Sequence, residues 1–305
     1  MISMHKKHLK EIKKIYESGE NIISYLKKTG AADSNSQEMI VISYDLQSGS
    51  YIQHEKEHGA QNKKRIGAIA KVISGLGVDY NSILEAGVGE ATTLANVITK
   101  LKHKPEKIYG FDASWSRVRY AIEYAKSKDI SPDLFMADLF NIPLADNSVD
   151  IVYTSHSIEP NGGREKEALK ELMRVTNKYL ILLEPAYELA SGPARKRMEE
   201  HGYVKNLYKT AVSLGLNIIE HKLFEVCTNP LNPTGLMIIK KDSVNSPTLK
   251  QPFICPVTKQ PLRLIRNSYF SVESLLAYPI IDKVPCLLEY NAVIATHYMD
   301  DFSII

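Results

Sequence analysis

The run Ser82-Ile83-Leu84-Glu85-Ala86-Gly87-Val88-Gly89-Glu90-Ala91-Thr92 constrains this chain more than any other stretch. An apolar segment ends in an acid, two glycines follow at a spacing of two, and a helix-like run continues from Ala91 to Leu101. The pattern predicts a strand, a tight turn and a helix start. Glycines in such a turn remove the Cβ atoms that would keep a ligand off the backbone. The helix behind it offers free N–H groups. A ligand with a polar, nucleoside-like portion is expected on this turn. Many strands also end in a Gly-x-Gly turn for packing reasons alone, so the motif needs support from elsewhere in the chain.

Two further acids supply it. Lys107-Ile108-Tyr109-Gly110-Phe111 reads as a second strand with Asp112 at its end. Asp133-Leu134-Phe135-Met136-Ala137 reads as a third, followed by Asp138. Open α/β sheets bind ligands at the carboxyl ends of their strands, so acids at three successive strand ends point at one crevice. A carboxylate after the second strand can accept both ribose hydroxyls, and one after the third an exocyclic amine of adenine. Either acid alone would also serve as a helix N-cap. A nicotinamide dinucleotide would use similar geometry. Its fingerprint asks for Gly or Ala at a third position, where this chain has Thr92.

With Glu85 before Gly87 and Gly89, and with Asp112 and Asp138 following, the pattern resembles the class I S-adenosylmethionine-dependent methyltransferases. The family's third glycine falls at Ala91. The resemblance continues through a polar turn and fourth strand, Asn147 to Ser155, an amphipathic helix, Arg164 to Val175, and a fifth strand ending at Glu184-Pro185. Two more apolar runs follow, Leu216 to Val226 and Gly235 to Lys240. The resemblance implies an α/β fold: a doubly wound, mostly parallel seven-stranded sheet whose last strand is antiparallel. It covers residues 60–242. It implies S-adenosylmethionine as cofactor, held by Glu85, Gly87, Gly89, Asp112, Asp138, Leu139 and Ser155.

Residues 1–59 read as a helical N-terminal extension. Apolar positions Leu9, Ile12, Ile15 and Tyr16, then Ile22, Ile23 and Leu26, give helical periodicity in two pieces, broken near Ser18-Gly19. Its lysines suit a solvated face, with a membrane surface or RNA as the alternative. Small polar residues over 30–38 read as a linker. Tyr44 or Tyr51 is expected either to fold over the cofactor or to pack as core. Lys63 to Leu76 reads as the helix leading into the first strand.

Composition turns polar again over 241–247. Beyond it, Cys255-Pro256 and Tyr278-Pro279-Ile280-Ile281-Asp282-Lys283-Val284-Pro285 resemble the small β-rich activator subunit of tRNA and translation-factor methyltransferases, over residues 250–293. Zinc-binding members carry Cys-x-x-Cys, and here the second position is Thr258. Cys255 and Cys286 cannot supply four ligands, so no metal is expected and an apolar core should hold this domain.

The 305 residues suffice for one large α/β domain and a smaller one. A net charge of +3 neither requires nor excludes a nucleic-acid partner. Three widely spaced cysteines suit a reducing cytoplasm. No apolar run is long enough to span a membrane, and no signal peptide is expected.

Methyl transfer is an in-line displacement for which the cofactor brings the electrophile and the protein supplies position and sometimes a base. The acceptor is expected near the end of the fourth strand, at Ser155-His156-Ser157-Ile158-Glu159-Pro160-Asn161-Gly162-Gly163. His156 suits deprotonation of a hydroxyl, with Glu159 orienting it. Capping or packing is the structural alternative. The segment lacks the Asn/Asp-Pro-Pro-Tyr/Phe motif of enzymes that methylate planar nitrogens. Residues 186–210 are expected to form an insertion covering the site. The leading expectation is O-methylation of a small-molecule or sugar-like acceptor. The alternatives are methylation of RNA or a translation component, and a cofactor-binding protein without turnover.

Overall fold

The computed structural model describes residues 7–30, 36–227, 229–242 and 252–300. Most of the expected linker over 30–38 and of the polar boundary over 241–247 lies outside them.

The N-terminal periodicity becomes two helices, α1 (Leu9–Glu17) and α2 (Ile22–Gly30). A third, α3 (Gln37–Leu46), starts inside the stretch read as linker, where the Ser36 hydroxyl accepts the Met39 N–H at 3.3 Å as an N-cap. Ile12, Ile22, Leu26, Met39 and Ile42 bury together as a small separate core. Next come α4 (Ser50–Glu57) and α5 (Gly59–Ser74), the latter beginning four residues before the expected Lys63.

From there the chain alternates: β1 (Ser82–Ala86), α6 (Thr92–Lys100), β2 (Lys107–Asp112), α7 (Trp115–Lys126), β3 (Asp133–Met136), β4 (Val149–Ser155), α8 (Glu165–Val175) and β5 (Thr176–Pro185). A 3-10 turn (Tyr187–Leu189), α9 (Gly192–Glu200) and α10 (Leu207–Ser213) form the expected insertion. Two strands, β6 (Asn217–Leu223) and β7 (Thr234–Lys240), complete the large sheet. Its order is β3-β2-β1-β4-β5-β7-β6. Pairs among β1 to β5 are parallel, and β7 runs antiparallel to both neighbours. Strand β4 is buried from Val149 to Thr154, as expected of a parallel strand covered on both faces. The order reverses between β1 and β4, which opens the crevice at the carboxyl ends of β1, β2 and β4.

The C-terminal segment forms a second, five-stranded sheet from β8 (Arg263–Ile265), β9 (Ser268–Ser271), β10 (Leu276–Ile281), β11 (Val284–Pro285) and β12 (Val293–Ile294). It packs on the β3 side of the large sheet. Cys286 bridges Met136 in parallel, and the Leu287 N–H donates to the Met136 carbonyl at 3.1 Å. Phe253, Cys255, Leu262, Tyr278 and Leu287 share one apolar cluster with Phe135 and Leu144 of the larger domain. At the position of the missing thiolate, the Thr258 N–H points at the Cys255 sulfur, 3.5 Å away, and the Tyr278 hydroxyl lies 3.3 Å from it. Burial raises this thiol's pKa, but the donors outweigh burial and bring it down to about 7. Among the described residues no group of three or more His, Cys, Asp or Glu side chains could hold a metal ion. No helix among them is long and apolar enough to cross a membrane.

Candidate active site

A cavity of about 580 Å³ opens at the carboxyl end of the large sheet, under α3, α4 and α5. Gly87, Gly89, Asp112, Asp138, Leu139 and Ser155, six of the residues that the sequence assigns to the cofactor, line it together. Gly87 sits at φ +73°, and a Cβ there would lie 2.2 Å from that of Ser157, so no other residue fits this turn without displacing the β4 loop. Ala91, where the family's third glycine falls, also takes a left-handed conformation at φ +56°. This is the conformation for which glycine is the unstrained residue.

Asp112 receives the N–H groups of Gly89 at 3.1 Å and Ser114 at 2.9 Å. Burial raises its pKa, while the Arg117 charge and these two donors work against that rise. The carboxylate therefore ties the glycine turn to the end of β2 and still faces the cavity. Asp138 accepts the Phe140 N–H at 3.0 Å. Ser155 takes a hydrogen bond from Arg65 of α5, which also donates to Thr93 at 3.3 Å.

Glu85 is the exception. It is buried, does not line the cavity, and accepts the Tyr153 hydroxyl at 2.9 Å. Glu85 and Tyr153 are direct neighbours across the β1–β4 pair, which puts the phenol beside the carboxyl. Burial pushes the Glu85 pKa up to about 8, against the opposing effects of the Tyr153 hydrogen bond and the Arg65 charge.

His156 lines the cavity at φ +59°. Its Nδ1 lies 2.5 Å from Glu159, the orienting contact that the sequence suggests. Its Nε2 lies 2.8 Å from the Thr234 hydroxyl of β7, and Thr234 does not line the cavity. Both ring nitrogens are thus engaged within the wall. The base role expected for His156 has no free nitrogen facing the acceptor in this arrangement, and the imidazole acts as a bridge between two loops. Glu184, at the end of β5, gathers the Ser157, Ile158 and Glu159 N–H groups at 3.0–3.2 Å and so fixes the turn that carries His156. The segment over 186–210 packs behind that turn, with the Val204 N–H donating to the Glu159 carbonyl at 3.1 Å, and none of its residues lines the cavity, so it does not cover the site as the sequence suggests.

Sequence reasoning left Tyr44 and Tyr51 open between cover and core, and they serve as both. Both line the cavity, and both rings flank the Arg117 guanidinium, at 4.9 and 4.2 Å. It missed Glu90. This acid is fully buried immediately after the glycine turn and accepts the N–H groups of Gly49, Tyr51 and Ile52 at 2.9–3.3 Å, capping the start of α4. Arg117 stands 3.7 Å from it. Asp45 accepts from Ser114 at 2.6 Å and from the Ser116 hydroxyl at 3.0 Å. The covering helices are therefore held by residues that follow the two cavity-lining turns. The sequence signal was an acid one residue past Gly89. Its partners lie about forty positions upstream, out of reach of any local pattern.

Residues 83–178 match the model of a methyltransferase domain family. The chain carries a methyltransferase domain. Its cofactor is S-adenosylmethionine. No curated protein sequence matches the chain. Solved structures align with it at low identity. A SAM-dependent methyltransferase from Aquifex aeolicus is 20% identical, with 56% of this chain and 87% of that chain covered and a TM-score of 0.44. Magnesium protoporphyrin IX methyltransferase from Synechocystis PCC 6803, with bound SAH, is 12% identical over 72% and 98% of the two chains, at a TM-score of 0.48. A complex between the Haloferax volcanii Trm112 methyltransferase activator and a methyltransferase gives 13% identity, 64% and 94% coverage and a TM-score of 0.49.

The residues present fit this cofactor. The glycine turn leaves backbone open to the methionine portion, Asp112 suits the ribose hydroxyls and Asp138 the adenine amine. Buried Ser157 Oγ, beside Gly87, has no hydrogen-bond partner within the protein.

Proposed function

We propose that this methyltransferase acts on a hydroxyl of a small-molecule or sugar-like acceptor. The observation that carries the reading is the cover. Helices α3 to α5 contribute Gln37, Val41, Tyr44, Tyr51, Gln61 and Asn62 to the wall of one cavity, so the acceptor shares a bounded chamber with the cofactor. Such a chamber suits a small molecule better than a folded RNA surface. The bound cofactor supplies the electrophilic methyl group. The protein's own part is alignment and exclusion of water: Asp112 and the glycine turn fix the donor, and the β4 loop, braced by Glu184 and the His156–Glu159 pair, fixes the acceptor. The C-terminal sheet, read as activator-like, acts in this proposal as a brace for β3 at the adenine side.

The test is transfer of a tritium-labelled methyl group from S-adenosylmethionine to cell extract, separated into small molecules, RNA and protein. Label in a small molecule, as a methyl ether or ester, is the expected result. Label confined to RNA or protein would overturn the reading.

A further inference from the structure

Resting on the small-molecule reading above, we propose that the acceptor is electrically neutral and that Asn232 is the residue that reads it. Asn232 lines the cavity, and its Nδ2 donates to Glu159 Oε1 at 3.1 Å. A carboxylate only accepts, so this contact fixes which end of the amide faces Glu159. The other end, Oδ1, is buried and has no hydrogen-bond partner within the protein. A buried carbonyl left unpaired is costly, so the site calls for a donor from the ligand. Asn232 Oδ1 thus supplies an acceptor, which matches the O–H of an alcohol.

Asn232 is held from behind. The Thr234 hydroxyl meets His156, His156 meets Glu159 Oε2, and Glu159 Oε1 meets Asn232. Glu159 itself does not line the cavity, so its charge is spent inside the wall. The cavity lining holds further carboxamides, Gln61, Asn62, Asn161 and Asn229 among them, and the imidazoles of His54 and His58.

Of the charged groups that line the cavity, all but the terminal nitrogens of Arg117 are engaged by hydrogen bonds elsewhere. Arg65 donates to Thr93 and Ser155, Asp112 and Asp138 mark the cofactor side and accept backbone N–H groups, and Arg117 stacks between Tyr44 and Tyr51 beside Glu90. Away from Arg117, an ionic acceptor would be buried among carboxamides without a counter-charge, at a cost a neutral one avoids. Arg117 is the point at which this could fail, because its terminal nitrogens make no hydrogen bond. An anionic acceptor long enough to reach it would find a partner there.

The experiment splits a cell extract by ion exchange into neutral, acidic and basic small-molecule fractions and incubates each with the full chain and tritium-labelled S-adenosylmethionine. Label should enter the neutral fraction. With the purified neutral acceptor, Asn232→Ala should raise KM roughly 10–100-fold through loss of one buried hydrogen bond, with affinity for S-adenosylhomocysteine within about twofold of wild type. Asn232→Asp, which keeps the size and adds a charge beside Glu159, should lose at least as much. Label entering the acidic or basic fraction would overturn the neutral-acceptor inference and leave the methyltransferase reading standing. Wild-type KM in a folded Asn232→Ala variant would overturn the role of Asn232. Absence of label from all three fractions would overturn both the inference and the small-molecule reading.

Discussion

Glu85→Gln separates a structural acid from a cofactor ligand, and its effect is sized by the site it occupies. The wild-type carboxyl is fully buried, accepts the Tyr153 hydroxyl, and has its pKa pushed from an ordinary 4.5 up to about 8 by burial. The folded state thus holds this proton more tightly than the unfolded chain. Its contribution to stability is fully present below pH 4.5 and is lost as pH rises through about 8. At about 1.4 kcal/mol per pH unit, the loss across that window is roughly 4–5 kcal/mol. Glutamine has the same shape, still accepts the Tyr153 hydroxyl and carries no titrating proton. Urea unfolding of wild type and variant at several pH values between 5 and 8.5 would read the difference directly. The variant should gain on the wild type steadily with pH and the gap should level off above about 8. Its affinity for S-adenosylhomocysteine near pH 6, where the wild-type carboxyl is already neutral, should match wild type. Parallel stability curves would refute the buried-proton argument. A large loss of affinity near pH 6 would restore Glu85 as a cofactor ligand.

Asp112→Ala should weaken S-adenosylhomocysteine binding by about 1–3 kcal/mol in calorimetry, since a buried acceptor of the ribose is lost; unchanged affinity would make Asp112 a turn-holder only. Glu90→Ala leaves three N–H groups uncapped and the Arg117 charge buried without its partner. A loss of about 3–5 kcal/mol in chemical denaturation, with faster amide exchange over α4, is expected, and exchange unchanged over α4 would refute the capping role. His156→Ala should lower turnover mainly through KM, with a pH profile like that of wild type, because its nitrogens face Glu159 and Thr234. A drop of 10²–10⁴-fold in kcat together with loss of an acid-side pH limb would instead make it a general base.

The parts of the fold legible in the sequence are those set by local chemistry. Strand β1, the glycine turn and Asp112 follow from an apolar run, two residues without Cβ and an acid at a strand end, and all three meet at the cavity. The five parallel strands followed from apolar runs because a doubly covered parallel sheet leaves few polar positions, as β4 shows. What local chemistry does not contain is register. Glu85 meets Tyr153 because β1 pairs with β4 in one register and not another, so an acid in the right motif position turned out to face a phenol. His156 met its expected partner three residues away, but Thr234, seventy-eight positions on, takes the nitrogen that the sequence reserved for the acceptor. The hold of Glu90 on α4 and of Asp45 on Ser114 and Ser116 are likewise contacts between segments that no spacing rule links.

A twisted sheet that is not closed into a barrel has two rims, and an open rim invites another molecule to add a strand. At one rim of this sheet, β6 carries an irregularity between Ile218 and Glu220 and places Glu220, His221 and Lys222 along its length, features that discourage such growth. At the other, β3 presents Leu134, Phe135 and Met136, an apolar run with a single charge, Asp133, at its start. The Cys286–Leu287 segment seats on that rim and takes up the Met136 carbonyl. The C-terminal sheet thus covers a rim of the larger sheet that would otherwise be open. A fragment that stops at residue 242 would carry every residue of the cofactor turn and still display a sticky, template-like border, and self-association rather than lost methyl transfer would be the first sign of its absence.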